Sequence, residues 1–249
     1  MNIKPLITNA GDQAITITFG EIIDTQISNF VFEVSESLRS FQLEGILDII
    51  PSYCSIMIQY DPLTITSSYI YAVCKELCSA IKLNPSSKKS RIISIPVLYE
   101  KEYAPDLEFV SKHTGLSIDE IIKIHTTHIY TVFMIGFTPG FPYMGISPKK
   151  LTVPRKTTPS QQILAGSIGL AENQTGIYPI ESAGGWQIIG NTPINFFDIS
   201  LISPSLFNIG DQIKFEALNN KEEYDSIKDL IKKNTYKPTI KRTNVKINN

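Results

Sequence analysis

Cysteine is scarce in this chain. Three residues in 249, Cys54, Cys74 and Cys78, are too few for a disulfide framework. With no CxxC pair and no clustered Cys/His set, a zinc centre is not expected either. Cys74 and Cys78 stand four apart on a helical pattern and read as reduced core thiols. No charge of either sign dominates: 23 basic against 24 acidic residues leave a net −1. That provides no global field to gather nucleic acid or an anionic membrane. No run of about 18 uncharged apolar residues exists, which excludes a transmembrane helix. Met1–Pro5 does not lead into an apolar run, and Asp12 and Glu21 interrupt early, so no signal peptide is expected and the cytoplasm is the default. Neither a GxxxxGK[ST] phosphate loop nor a GxGxxG fingerprint occurs. Ala165-Gly166-Ser167-Ile168-Gly169 resembles a nucleophile elbow, but the hydrolase order places histidine after serine, and no histidine lies beyond His128. His125-x-x-His128 lacks a third ligand type, so no metal site is expected.

What is present reads as a folded α+β chain, 42% hydrophobic and 19% charged, which excludes a disordered chain and a coiled coil. Ala14–Phe19 is β-branched and alternating, a strand. Ile27, Val31, Val34, Leu38 and Phe41 recur at helical spacing behind Asp24 or Thr25 as cap. Ile46–Ile50 and Tyr53–Tyr60, split by Pro51-Ser52, read as paired strands. Ile70–Ile81 is a second amphipathic helix, and Ile92–Leu98 a further strand. This strand–helix–strand–strand–helix–strand order fits a ferredoxin-like α+β domain. The polar, breaker-rich Asn84–Ser90 reads as a loop or linker, giving boundaries of 1–88 for that domain, 89–218 for a second and 219–249 for a tail. Beyond the linker, Asp106–His113 is a short helix stopping at Gly115, and Ser117-x-x-Glu120 is a capping box opening another. From Tyr130 to Phe215 short apolar runs alternate with turn residues, the pattern of an antiparallel barrel or sandwich. Tyr224–Lys233 has helical character. After Asp229 the tail carries basic residues only and reads as a solvated tail.

Glycine and proline are unevenly placed. Residues 136–193 hold nine of the fourteen glycines and seven of the fifteen prolines. Gly136-Phe-Thr-Pro-Gly-Phe-Pro-Tyr-Met-Gly145 describes a rigid, irregular, aromatic loop, suited to a ligand-pocket wall or to a packed barrel corner. Pro154-Arg155-Lys156 places two cations next, and Arg155 can grip a carboxylate or phosphate through two parallel hydrogen bonds. Gln174, Thr175 and Tyr178 supply neutral donors and acceptors for an amide or carboxyl group. Gly184-Gly185 can offer backbone N–H groups to an anion, and equally makes a plain hairpin turn. Trp186 follows as the only tryptophan. His125 is a candidate proton carrier near neutral pH.

These motifs together resemble one family. The run comprises His125, Tyr130-x-Val132, Gly136-Phe137-x-Pro139-Gly140-Phe141-x-Tyr143, Pro154-Arg155, Ala165-Gly166-Ser167, Gln174–Pro179 and Gly184-Gly185-Trp186-Gln187-x-Ile189-Gly190-x-Thr192-Pro193. It is similar to the bacterial 5-oxoprolinase B-subunit family, also described as the sporulation-kinase inhibitor family and as allophanate hydrolase subunit 1; the same module occurs in urea amidolyase carboxyltransferase domains. Gly11-Asp12-x-Ala14, Pro51-Ser52-Tyr53, Tyr60-Asp61-Pro62, Ile95-Pro96-Val97 and Asp106-Leu107 extend the match along the chain. The resemblance implies an N-terminal ferredoxin-like domain and a C-terminal cyclophilin-like antiparallel β-barrel. It implies a heteromeric complex, inactive as the single chain, in which the A and C subunits of 5-oxoprolinase join this one to open 5-oxoproline to glutamate with ATP. On that footing His125, Arg155 and Gln174 are the candidate catalytic residues. Phe137, Tyr143, Thr175, Tyr178, Gly184, Gly185 and Trp186 are the substrate-binding candidates. The alternatives it carries are an inhibitor of a histidine kinase, needing no pocket, and a carboxyltransferase half beside a biotin-bearing partner. The sequence departs from the family pattern at Ser160 and Asn191, where arginine is usual, at Ala183, where proline is usual, and at Glu172, where a small residue is usual.

Overall fold

The computed structural model describes residues 5–81 and 89–244, and the chain divides into two units, Met1–Ser86 and Ser87–Asn249. The first opens on a hairpin, β1 (Leu6–Asn9) and β2 (Ala14–Thr18), followed by α1 (Thr25–Ser40), β3 (Ile46–Pro51), β4 (Ser55–Tyr60) and α2 (Ser67–Ala80). Asp24 caps α1, its carboxylate accepting from the Gln26 and Ile27 N–H groups at 2.8 and 3.0 Å. The sheet order is β1-β2-β4-β3, every pair antiparallel. Ile15, Ile17, Ile56 and Ile58 meet Phe30, Val31 and Val34 of α1 and Ile70 and Cys74 of α2 in one core. Each such side chain contributes about 1.5–3 kcal/mol. Burial pushes the Cys74 and Cys78 thiols up to about 12 and about 11, so both stay protonated as core residues.

Two features differ from expectation. Ile92–Leu98 does not close this sheet. The place beside β2 is taken by β1, whose short, mostly exposed LITN run carries no strong strand signal. Strand β5 (Lys89–Val97) belongs instead to the second unit, where Ile93, Ile95 and Val97 are fully buried. Of the predicted loop, only residues 89 and 90 lie among the described residues, and they begin β5.

The second unit continues with α3 (Leu107–Thr114), α4 (Ile118–Thr127), β6 (Ile129–Ile135), β7 (Pro142–Gly145), β8 (Ser160–Ile163), β9 (Ser167–Ala171), β10 (Gln174–Ile177), β11 (Ser182–Gly184), β12 (Gln187–Asn191), β13 (Gln212–Ala217), α5 (Lys221–Lys232) and β14 (Ile240–Asn244). Gly115 ends α3 at φ 73, and the Ser117–Glu120 capping box opens α4 with both reciprocal hydrogen bonds formed. Eight strands form one sheet, β12-β9-β10-β7-β6-β13-β5-β14, and β8 pairs β11 separately. The expected closed antiparallel barrel is therefore corrected. β14 occupies one edge of β5, in the segment read as solvated tail, so β5 is not free to ladder with β12. Leu98 and Asn191 form an isolated bridge across the gap, exchanging backbone hydrogen bonds of 2.8 and 3.0 Å. The β5/β13 pair is parallel. The unit is thus a curled, open sheet with helices packed on it, and the chain as a whole is α+β. Among the described residues no helix is long and apolar enough to cross a membrane.

Asn191 ties α5 to the sheet. Its side chain is 2% exposed, donates to the Ala165 carbonyl at 2.9 Å and accepts from the Tyr224 hydroxyl at 2.7 Å. Tyr224→Phe removes one buried hydrogen bond while keeping the ring. It should cost about 1 kcal/mol and lower the melting temperature by roughly 2–4 °C in thermal unfolding.

Candidate functional site

The densest aromatic region of the chain is built on glycine. In the β9–β10 hairpin, Gly169 pairs with Gly176, and Gly184 of β11 pairs with Ser160. A Cβ at Gly176 would lie 2.7 Å from Phe141 Cζ and 3.0 Å from Trp186 Cζ3. One at Gly169 would lie 2.9 Å from Trp186 Cβ, and one at Gly184 would collide with Tyr178 Oη. The missing side chains are the space the rings occupy. Phe141 is the hub: it meets Tyr178 at 5.1 Å and Trp186 at 5.7 Å, both edge-to-face, and Tyr143 at 4.7 Å. Tyr143 also meets Trp186 at 5.8 Å. Phe137 closes the outer side against Phe141 and Tyr178 and remains 58% exposed. The hairpin turn holds Glu172 at φ 52, a left-handed position at which glycine or asparagine is ordinarily found.

Burial sets the protonation of this cluster. Desolvation pushes Tyr178 up to about 12, although the Trp186 backbone N–H donates to its oxygen and Arg155 lies within electrostatic reach. Tyr143 is likewise raised by burial and opposed by Arg155. Both phenols stay neutral at pH 7 and can present O–H donors. Arg155 is exposed and has no carboxylate partner among the described residues. Gln174 is half-buried at the start of β10. The structure thus brings together Phe137, Tyr143, Tyr178 and Trp186, with the Arg155 charge acting on both phenols. Phe141, Tyr178 and Trp186 are themselves buried as a small core, so the surface of this set is Phe137, the partly exposed Tyr143 and Gln174, and the exposed Arg155, a phenol and an amide beside a cation.

The other candidates have different surroundings. Thr175 is 0% exposed and its hydroxyl donates to the Gly169 carbonyl at 3.0 Å, so it serves the sheet and not a ligand. At the Gly184-Gly185 turn, Tyr178 packs where a Gly184 side chain would stand, the Gly185 carbonyl accepts from Lys156 N at 2.7 Å, and the following N–H is used by Tyr178. His125 has no exposed surface and lies in the larger core. It shares a 2.7 Å hydrogen bond through Nδ1 with Tyr99, and stacks 4.3 Å from Phe215. Burial, aided by His128, depresses it to about 3, so the ring stays neutral and cannot carry a proton to a substrate. This has a measurable consequence. Unfolded His125 protonates near pH 6.5 and the folded ring does not, so stability is full above that pH and falls as pH drops towards 3. About 2 kcal/mol should be lost by pH 5. A His125→Gln variant should show a flatter melting temperature between pH 7 and pH 5 than the native chain.

Sequence reasoning missed two contributors. Phe141 belongs to the motif, but nothing local marks it as the hub. Asp106 and Lys156, fifty residues apart in sequence, form a largely buried ion pair of 2.6 Å. Among the described residues no group of three or more His, Cys, Asp or Glu could hold a metal ion.

Residues 5–207 match the family model described as carboxyltransferase domain, subdomain C and D. The B subunit of 5-oxoprolinase from Bacillus subtilis is 37% identical over 239 residues, covering 89% of this chain and 96% of that protein. The chain belongs to the 5-oxoprolinase B-subunit family. Among solved structures, TTHA0988 superposes with a TM-score of 0.73 at 28% identity, over 84% of this chain and 40% of that one, so the present chain spans well under half of that longer protein. The urea carboxylase of Kluyveromyces lactis, with a TM-score of 0.83 at 18% identity over 97% of this chain and 24% of that one, shares the fold. Two of the positions at which the sequence departs from the pattern the resemblance implies, Asn191 and Ser160, have distinct settings. Asn191 is interior and bonded to Tyr224. Ser160 accepts a hydrogen bond from Lys156 Nζ at 2.9 Å, beside the site. Ala183 is exposed in β11, and nothing in the structure explains its presence there.

Proposed function

We propose that the chain is the B subunit of an ATP-dependent 5-oxoprolinase, acting with the A and C subunits to hydrolyse 5-oxoproline to glutamate. The observation that carries this reading is the full-length similarity to a protein of that name, 37% identical over 96% of its length. The cluster around Tyr178 supports it chemically. Arg155 holds the substrate carboxylate by charge-assisted hydrogen bonds. Neutral Tyr143 donates to the lactam carbonyl, Gln174 pairs with the amide, and the exposed ring of Phe137, backed by buried Phe141 and Tyr178, supplies apolar surface. The ferredoxin-like and cyclophilin-like character of the two units rests on the same family resemblance.

The residues of this site do not fit a nucleoside triphosphate. Lys156 is spent on Asp106, the glycine turn is closed by Tyr178, and Arg155 alone cannot neutralise three phosphates. ATP is accordingly assigned to the complex and not to this site. Its chemistry there is to activate the lactam oxygen, since an unactivated amide is a poor electrophile. The test is co-purification with the A and C subunits followed by an assay of ATP-dependent 5-oxoproline loss. The reading requires consumption by the complete set and none when this chain is omitted; consumption that persists without it would refute it.

A further inference from the structure

We propose that Asp106 and Lys156 are positioning residues for Arg155. The inference rests on the reading of Arg155 as the carboxylate-holding group and adds the device that aims it.

The segment 153–156 has no regular secondary structure across Pro154-Arg155-Lys156, yet it is stitched down on both sides of the arginine. Before it, the Val153 carbonyl accepts from Glu172 N at 2.7 Å, and the Pro154 carbonyl accepts from Gln187 Nε2 at 3.0 Å. After it, Lys156 N donates to the Gly185 carbonyl at 2.7 Å, in the turn that carries Trp186. The Lys156 ammonium then runs inward. It donates to Ser160 Oγ at 2.9 Å and pairs with Asp106 Oδ2 at 2.6 Å, the two side chains 19% and 17% exposed. Asp106 is itself fixed. Its Oδ2 accepts from Ile188 N at 2.7 Å and its own N–H donates to the Ile188 carbonyl at 3.0 Å, locking it to β12. Lys156 is thus drawn inward while the adjacent Arg155 stands exposed between the two anchored points, and its charge acts on Tyr143 and Tyr178.

Energetics favour a directional role over a stabilising one. Removing two charges from water offsets most of what their attraction returns, so a buried pair adds little net stability, while loss of one partner leaves the other uncompensated. What the pair supplies is register: with Lys156 held, the strap cannot slide or roll. The same logic accounts for Ser160, which gives Lys156 a second acceptor.

The test is steady-state kinetics of the assembled complex with 5-oxoproline as the varied substrate. K156M and D106N are each expected to raise KM about 10-fold with kcat within about 2-fold, because binding orientation is lost and the chemistry is not. K156R, which can still pair with Asp106, is expected to recover to within about 3-fold of the native KM. The deciding arm is the double variant R155A/K156M. If Lys156 acts only through Arg155, the double variant matches R155A alone. Independent, multiplying losses would overturn the inference. If R155A raises KM and K156M and D106N do not, the positioning role falls and the anion-site reading stands; if R155A has no effect, both fall. Should K156M fail to fold, S160A, which keeps the ion pair and removes one acceptor, carries the test with an expected KM increase of about 2- to 3-fold, and an unchanged KM there overturns the inference.

Discussion

Arg155→Ala is expected to lower kcat/KM of the assembled complex for 5-oxoproline by about 30- to 150-fold. A charge-assisted hydrogen bond to a carboxylate is worth about 2–3 kcal/mol, and each 1.4 kcal/mol is tenfold. Arg155 is exposed, so its removal leaves no cavity, and the melting temperature should change little. Arg155→Lys should recover part of the loss only, since an ammonium keeps the charge and forfeits the two-pronged geometry. A fall in activity that tracks a fall in stability would instead mark Arg155 as structural.

Gly166→Ala should be the most damaging small substitution in the second unit. Gly166 has φ +81, and a Cβ there would collide with the Thr192 carbonyl oxygen and lie 2.9 Å from Asn191 Oδ1. Its backbone is held on both sides, the N–H donating to Tyr178 O at 2.7 Å and the carbonyl accepting from Thr192 N at 2.9 Å, so it cannot step away. A left-handed alanine costs about 1–2 kcal/mol and the collision about 1–3 more. Together they lower the melting temperature by roughly 10 °C. Gly115→Ala isolates the first component. It has φ +73 with nothing within 4 Å of the added atom, and so should lose only the conformational part. Equal losses in the two variants would show that the contact with Thr192 is not restrictive.

The parts of this fold legible from sequence are those that local chemistry determines. The Asp24 cap, the Ser117–Glu120 box, the Gly115 stop and the helical spacing of Ile27 to Leu38 each act within a few residues, and each is found where its pattern placed it. The partners of strands are another matter. The segment Ile92–Leu98 is plainly a strand in isolation, but nothing in its own residues says that it joins β13 in parallel and β14 antiparallel rather than closing the first sheet. β1 and β14 are edge strands, and the described side chains of both are mostly exposed, so neither shows the buried–exposed alternation that announces a strand.

For the candidate site, composition points to the block of chain that carries the aromatic cluster, and residue type alone does not give the surroundings of its members. Residues 136–193 do carry the aromatic cluster. Yet Thr175, a ligand donor by residue type, spends its hydroxyl on Gly169. The glycines, suited in isolation to anion-binding backbone, serve instead as space for Phe141, Tyr178 and Trp186. His125 is attractive by residue type alone; its depth in the core, which decides its protonation, is a property of tertiary packing. The Asp106–Lys156 pair is invisible in sequence for the same reason, since an adjacent Arg-Lys looks like a surface pair until the fold brings the carboxylate that precedes α3 to one of them.

The most direct measurement uses Trp186, the only tryptophan in the chain, which sits against Phe141 and Tyr143 in the cluster. Its fluorescence should change saturably when 5-oxoproline is titrated into the purified protein. 2-Pyrrolidinone, which has the lactam and lacks the carboxylate, should bind at least about 30-fold more weakly, matching loss of one charge-assisted contact. The Arg155→Ala variant should abolish that preference. No response to 5-oxoproline, or equal affinity for the two lactams, would contradict the assignment of this cluster as the lactam site and of Arg155 as the group that reads the carboxylate.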